Sequence, residues 1–206
     1  MPTLFNRPFA LRDLRSVTRF GLGAPRYAQR ITFNPASVLE VVIDCSFDRQ
    51  DSGRVIDGDW DRLTMPVENL AKYQFCVARF VDGLSWESAG AYDYMMDLID
   101  QKPGVDGCFS LADVKARYSR LDQIFQAIKA QGELKPRIKL RPDNFRERGG
   151  IYMHIDRSGR PVFAGGGIHR FAICRILGLT AVPAQVGVVH RKGLAVWKNN
   201  KSKVWC

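Results

Sequence analysis

Three consecutive glycines followed by a histidine and an arginine are the residues whose types and spacing best fit chemistry on an anion. The run reads Gly-Gly-Gly-Ile-His-Arg over residues 165–170. Glycines let a backbone approach an anion without a Cβ atom in the way, and a helix that begins there offers free N–H groups. Arg170 could fork onto phosphate oxygens, and His169 could donate a hydrogen bond or shuttle a proton. The alternative is a tight turn with a surface His-Arg pair.

A cluster of carboxylates supplies a second set of chemically useful groups. Asp57, Asp59 and Asp61 surround Gly58 in a polar stretch. Carboxylates at this spacing can hold Mg²⁺, with Asp57 and Asp59 as the predicted ligands, or they can supply a general base for phosphoryl transfer. The alternative is a solvated acidic turn anchored by Trp60.

A second His-Arg pair, His190 and Arg191, follows the last predicted strand. If that strand ends beside the glycine run, the pair would help to neutralise phosphate. A surface pair is the alternative interpretation.

Periodicity and turn residues predict the elements that must position these groups. Predicted strands cover residues 31–33, 136–140, 151–155, 162–164 and 182–189, and predicted helices cover 67–81, 85–99, 110–131 and 168–177. Residues 36–43 are predicted as a strand or a short helix leading into one, and residues 48–61 as a loop. Strands and helices alternate with short links, which predicts an α/β or α+β fold.

The last 75 residues or so resemble the ParB/sulfiredoxin superfamily. The resemblance rests on a helix that ends near Ile128 and Gly132, on the glycine run with its His-Arg pair, and on Leu-Gly-Leu-Thr-Ala-Val-Pro at residues 177–183. It implies a small mixed sheet with flanking helices. On this basis residues 31–190 form one domain with a mainly helical insertion at 44–118, a basic arm at 1–30 and a basic tail at 191–206.

In that superfamily the glycine turn and its basic pair bind nucleotide phosphates, so the resemblance implies ATP or CTP, with Mg²⁺, as ligands. The phosphate-binding residues expected are Gly165, Gly166, Gly167, His169, Arg170, His190 and Arg191. The catalytic residues expected are Asp57, Asp59, Asp61 and His169. Ile168 stands where sulfiredoxin has its reactive cysteine, so sulfinic acid reduction is not expected. The run at residues 58–61 and the second His-Arg pair also occur in ParB-like proteins of phages and microbes.

The formal charge of +10 over 206 residues is concentrated at the two ends. Residues 1–30 hold six arginines and one acid, residues 188–206 hold five basic residues and no acid, and the remainder is balanced. Basic ends attract nucleic acid, polyphosphate or an acidic protein surface, or they only keep the protein in solution. Apolar side chains among the arginines of the arm also fit docking on another copy, so an oligomer is a further expectation.

Composition narrows the class of protein. The hydrophobic fraction of 46% and the charged fraction of 25% are typical of globular proteins. No apolar run reaches the roughly 18–20 residues needed to cross a membrane. The five cysteines are widely spaced, without the CxxC pairs of a zinc ribbon. These features predict a cytoplasmic protein, located in the host cytoplasm or the virion if it is viral.

Three functions follow from these patterns. The first is a nucleotide-dependent phosphotransferase or NTPase. The second is a nucleotide-gated or nucleic-acid-binding module without turnover, and the third is a structural part of a viral or multi-protein assembly. A carboxylate near the phosphate pocket would favour the enzyme. A continuous basic groove joining the two ends would favour the binding module, and arms extended away from the core would favour the structural role.

Overall fold

The computed structural model describes residues 7–200 and 203–205, so the start of the predicted arm and residues 201, 202 and 206 of the predicted tail lie outside the described residues. The α-helices in this part are α1 (Arg7–Phe20), α2 (Ala71–Phe80), α3 (Ala91–Gln101), α4 (Leu111–Gln131), α5 (Arg137–Leu140), α6 (Ile168–Ile176) and α7 (Leu194–Asn200). The strands are β1 (Arg30–Phe33), β2 (Glu40–Val42), β3 (Val55–Ile56), β4 (Thr64–Pro66), β5 (Ile151–Ile155), β6 (Pro161–Phe163), β7 (Val182–His190) and β8 (Val204–Trp205).

Two parallel strands, β5 and β7, form the centre of one mixed sheet. The strand order is β4-β2-β6-β5-β7-β1-β8, and β3 pairs with β7 outside that path. Every residue of β5 and β7 is buried, as expected for strands covered on both faces. Helix α6 packs against α2, α4 and β5. The chain is therefore a mixed α+β protein.

The predicted insertion at residues 44–118 is built into the sheet as well as packed beside it. It contributes α2 and α3, but also β3, which pairs with the end of β7, and β4, which pairs with β2. Of this segment, α2 and α3 cover Ala71–Phe80 and Ala91–Gln101, whereas residues 44–70 contain no α-helix. The two short strands were not predicted, because runs of two or three residues give no periodic signal.

Local end signals account for the helices around the site. Ser110 accepts a hydrogen bond from the Asp113 N–H at the start of α4, and Gly132 ends that helix with φ +68°. Gly167 precedes α6 with φ +84°, and Gly178 follows it with φ +68°. The helices predicted at 110–131 and 168–177 are thus found to within one residue at each end. Glycine adopts the left-handed backbone that such helix ends require.

Two predicted elements are wrong. Residues 136–140, predicted as a strand, form the single turn α5, because the Arg137 N–H donates to the buried Glu147 carboxylate instead of to a neighbouring strand. The helix predicted from Ser85 begins only at Ala91, because Gly90 has φ +78° and interrupts the regular backbone. The Ser85 hydroxyl instead accepts the Ser88 N–H and begins the turn that precedes α3.

Both ends of the described chain are part of the fold. The predicted arm contributes α1. In the predicted tail, Trp197 of α7 is buried and stacks on Trp205, and β8 pairs in parallel with β1. Among the described helices, none has the length and apolar character that a membrane crossing requires.

Candidate functional site

The glycine turn joins β6 to α6 and lies against the start of β5. The Tyr152 N–H donates a hydrogen bond of 2.8 Å to the Gly166 carbonyl. A Cβ atom at Gly167 would lie 3.0 Å from the Ile151 Cα. With its positive φ, Gly167 is therefore the residue that lets the chain turn closely over β5. The first N–H groups of α6 have no intrahelical acceptor and are available to an anion.

A cleft made of two hollows surrounds the N-terminus of α6, and we call it the α6 cleft. The first hollow, of about 420 Å³, lies beside the glycine turn. The second, of about 470 Å³, lies between α4 and α6. The two hollows share Asp106, Arg117, Gly167 and His169. The cationic side chains that line them are Arg49, Lys72, Arg117, Arg120 and Arg170. Within the described residues, Asp106 is the one carboxylate that lines either hollow.

His169 lies in the wall between the hollows. Its side chain is nearly fully buried, and its Nε2 atom has no hydrogen-bond partner within the described part of the chain. Burial, together with the nearby charges of Lys72 and Arg117, lowers the pKa of His169 to about 3. The imidazole is therefore neutral at physiological pH. It suits hydrogen bonding to a ligand, and the role of proton shuttle stays a prediction.

Three guanidinium groups gather behind the glycine turn. Arg49 donates to the Gly150 carbonyl at 2.8 Å, and Arg170 donates to the Gly149 carbonyl at 2.7 Å. The Arg137 guanidinium would lie 3.9 Å from a Cβ atom at Gly149. Burial, with repulsion from Arg137 and Arg49, lowers the pKa of Arg170 to about 10. Arg170 therefore stays charged at neutral pH, and the cluster attracts anions.

Asp106 is held between two cations of the cleft. Its Oδ2 atom lies 2.6 Å from Lys72 Nζ and 3.3 Å from Arg117 Nη2. Burial raises the pKa of the Asp106 carboxyl, but the hydrogen bond and charge of Lys72 outweigh it, so the pKa lies below the ordinary value. Asp106 also has φ +56°, an uncommon backbone for a non-glycine residue. The carboxylate is thus ionised and fixed beside the imidazole.

The predicted catalytic aspartates lie at the other end of β5. Arg157, directly after β5, donates from its backbone and guanidinium to Asp61 at 2.8 and 2.6 Å, and to Asp59 at 2.8 Å. Since β5 spans five residues, this end is roughly 16 Å from the glycine turn. The prediction that these aspartates and the glycine turn serve one phosphate pocket is wrong, because they lie at opposite ends of β5.

His190 and Arg191 lie at the same far end. The fully buried His190 accepts the Lys192 N–H at Nδ1, so its Nε2–H donates to the Gly58 carbonyl at 2.9 Å. Arg191 is exposed, and its N–H donates to the Ile56 carbonyl. The expectation that this pair neutralises phosphate at the glycine turn is wrong, because β7 runs parallel to β5 and ends where β5 ends.

One of the two predicted Mg²⁺ ligands, Asp59, is already engaged by arginine side chains. Asp59 pairs with Arg157 and also with Arg62 at 2.9 Å, and these contacts lower the pKa of its carboxyl. Asp57 accepts the Gly58 N–H and is half exposed. Across residues 7–200 and 203–205, no group of three or more His, Cys, Asp or Glu side chains is arranged to hold a metal ion. The acidic loop is held at the end of β5 by the hydrogen bonds of Arg157 to Asp59 and Asp61.

Five charged residues of the cleft were not predicted as site residues: Arg49, Lys72, Asp106, Arg117 and Arg120. The first four lie in the 44–118 segment, and all five are far in sequence from the glycine turn. Arg49 is the most tightly held, since it donates to Gln185 at 2.8 Å and lies over the Tyr152 ring at 5.1 Å. Only the turn residues Pro103, Gly104 and Gly107 around Asp106 gave a local signal that this carboxylate sits on a loop.

The fold and the site together define a mixed α+β protein with a cationic, histidine-containing cleft at a helix N-terminus. No protein-family model, no curated protein and no solved structure matches this chain.

A second histidine shares the unusual environment of His169. His154 in β5 is fully buried, its Nδ1 accepts the Val188 N–H at 3.0 Å, and burial lowers its pKa to about 3. Both rings are neutral in the folded protein. In the unfolded chain they take up protons near pH 6.5.

Acid is expected to destabilise the fold through these two histidines. Between pH 6.5 and 3 the unfolded chain binds protons that the folded protein does not, so the stability present above pH 6.5 is lost as the pH falls. Each ring should lower the free energy of unfolding at pH 5 by about 2 kcal/mol relative to its value at pH 7.5. Urea unfolding at both values should show His169→Gln losing about 2 kcal/mol less than wild type. An identical loss in both proteins would contradict the low pKa of His169.

Proposed function

We propose that this chain binds the phosphates of a nucleoside polyphosphate, ATP or CTP, in the α6 cleft. The observation that carries the proposal is the convergence of five cationic side chains on the N-terminus of a helix whose first turn holds a buried histidine with an unpartnered nitrogen. Four of these side chains are partly buried, Arg120 is exposed, and Asp106 is the one carboxylate among them in the described part of the chain, so the cleft carries a surplus of positive charge that an anion would neutralise. The sequence resemblance to the ParB/sulfiredoxin superfamily supports the same assignment, and we propose that fold for the central sheet.

Each group has a defined part in this proposal. The N–H groups that follow the glycine turn and the Arg170 guanidinium contact phosphate oxygens. The neutral imidazole of His169 hydrogen-bonds the ligand through Nε2. Lys72 and Arg117 contribute positive charge beside Asp106. Aromatic and apolar side chains of the first hollow, Tyr94 and Leu70, offer a surface for the base.

The reaction class that fits is phosphoryl transfer to an acceptor hydroxyl or to water. Asp106 takes the part that sequence reasoning gave to the acidic loop, because it is the carboxylate beside the cationic cleft. Its low pKa makes it a weak base, so it orients an attacking O–H group by accepting its hydrogen bond, as water-positioning residues do in phosphoryl transfer. The cations around it offset charge that develops on the phosphoryl oxygens.

The test is calorimetric titration of ATP, CTP and their non-hydrolysable analogues, with Mg²⁺, into wild type and Arg170→Ala. Loss of a charge-assisted hydrogen bond should weaken binding by about 10- to 150-fold. Arg175→Ala is the matched control, since Arg175 lies at the other end of α6 and pairs with Glu68. Absence of binding to wild type by every nucleotide, or equal loss in both variants, would contradict the proposal.

A further inference from the structure

The two basic ends of the chain, predicted as an arm at 1–30 and a tail at 191–206, meet in the structure. The Trp197 indole N–H of α7 donates to the Gly23 carbonyl at 3.0 Å. A Cβ atom at Gly23 would lie 3.0 Å from Lys198 Cγ. The segment that follows α1 is therefore packed on α7, and the positive charges of both ends share one side of the molecule.

Helix α1 is anchored to the core by specific bonds. The Asp13 carboxylate accepts the Tyr27 N–H at 2.7 Å and pairs with Arg146 at 2.7 Å. Arg12 donates to the Ser52 carbonyl at 2.6 Å and lies over the Tyr27 ring. With Asp13 neutralised in this way, the remaining arginines of α1 carry the charge of this face.

A groove of about 470 Å³ lies between α1 and residues 53–55, and we call it the α1 groove. Its arginines are Arg12, Arg15, Arg19 and Arg54. Arg54 pairs with Asp51, but Arg15 and Arg19 are exposed and have no acidic partner in the described part of the chain. Phe20 also lines the groove, with the Arg19 guanidinium 5.3 Å from its ring centre.

We propose that the α1 groove binds a short stretch of single-stranded nucleic acid. Arg15 and Arg19 are one helical turn apart and present guanidinium forks, which match phosphate oxygens. Phe20 offers a ring face on which an unpaired base can stack, and a cationic groove with an aromatic platform is the usual design of such sites. Lys198 and the exposed Arg26 extend the positive surface past the groove. This site is separate from the α6 cleft and does not depend on it.

The test is fluorescence anisotropy with a labelled oligothymidylate of about 12 nucleotides. Wild type should bind with a Kd of about 1–100 µM at low salt. Arg15→Gln/Arg19→Gln should weaken binding about 10-fold or more and reduce the slope of log Kd against log salt by about 1.4, since two phosphate contacts are lost. Phe20→Leu should weaken it about fivefold or more. Lys129→Gln/Lys139→Gln removes two exposed charges elsewhere and should change Kd by less than about twofold.

Several outcomes would overturn this site. The first two are that wild type does not bind the oligonucleotide, and that the Lys129/Lys139 control loses as much affinity as the Arg15/Arg19 variant. The third is that a duplex binds as tightly as the single strand and that Phe20→Leu does not change the affinity for the duplex. The fourth is that the protein binds anionic vesicles but not the oligonucleotide. Arg170→Ala separates the two sites. Retention of oligonucleotide affinity in that variant supports the α1 groove, and its loss would place the oligonucleotide in the α6 cleft.

Discussion

Asp106→Asn should lower the rate of nucleotide hydrolysis or phosphoryl transfer by about 100-fold or more while tightening nucleotide binding by about 10-fold. Loss of the carboxylate removes the group that orients the nucleophile. It also frees Lys72 and Arg117, which lie 2.6 and 3.3 Å from Asp106 Oδ2, to contact phosphate. Asparagine tolerates the positive φ of this position, so the loop should keep its shape.

Phosphate release and calorimetric titration on the same preparations measure the two effects. Asp82→Asn is the matched control, because Asp82 is an exposed carboxylate of the same 44–118 segment. We expect it to retain wild-type turnover and affinity. Full turnover and unchanged affinity in Asp106→Asn would show that this carboxylate only holds its loop in place.

Gly53→Ala is expected to reduce the free energy of unfolding by about 4 kcal/mol or more. Gly53 has φ +78°, and an added Cβ atom would meet the carbonyl carbon of Arg26 at a separation of 2.4 Å. Its N–H also donates to the Gly187 carbonyl at 2.7 Å. Neither backbone can move freely, so the clash adds to the conformational cost of about 1–2 kcal/mol.

Gly83→Ala isolates the conformational part of that cost. Gly83 has nearly the same φ, +76°, but nothing lies within 4 Å of its added Cβ atom. Thermal unfolding should therefore place the Gly53 variant below the Gly83 variant by about 5–10 °C for a domain of this size. Equal melting temperatures would contradict the close approach of residues 26 and 53.

Sequence reasoning succeeded where the signal is local. The glycine turn before α6, the Ser110 cap and the Gly132 stop of α4 each depend on neighbouring residues, and all are found in the structure. The strand predicted at 136–140 failed because a distant side chain, the Glu147 carboxylate, takes a backbone donor. An alternating run of five residues does not indicate that a distant side chain will take one of its backbone hydrogen-bond donors.

The assembly of the site was less predictable than its centre. His169 and Arg170 were identified from their position after three glycines, but Arg49, Lys72, Asp106 and Arg117 reach them only through tertiary packing. The acidic loop was expected to supply catalytic groups, but residue type and spacing do not indicate at which end of a strand a loop will pack. That information lies in the parallel register of β5 and β7.

The α6 cleft takes its glycine turn from the sheet and most of its cations from the 44–118 segment. Occupancy of the cleft and the order of that segment are therefore thermodynamically linked. A ligand that binds only the assembled cleft stabilises it by about 2.7 kcal/mol at a concentration 100 times its Kd. Transient opening of the segment, which hydrogen exchange detects, is suppressed by the same amount. The fraction of molecules in which the 44–118 segment is open should therefore fall as the ligand concentration rises.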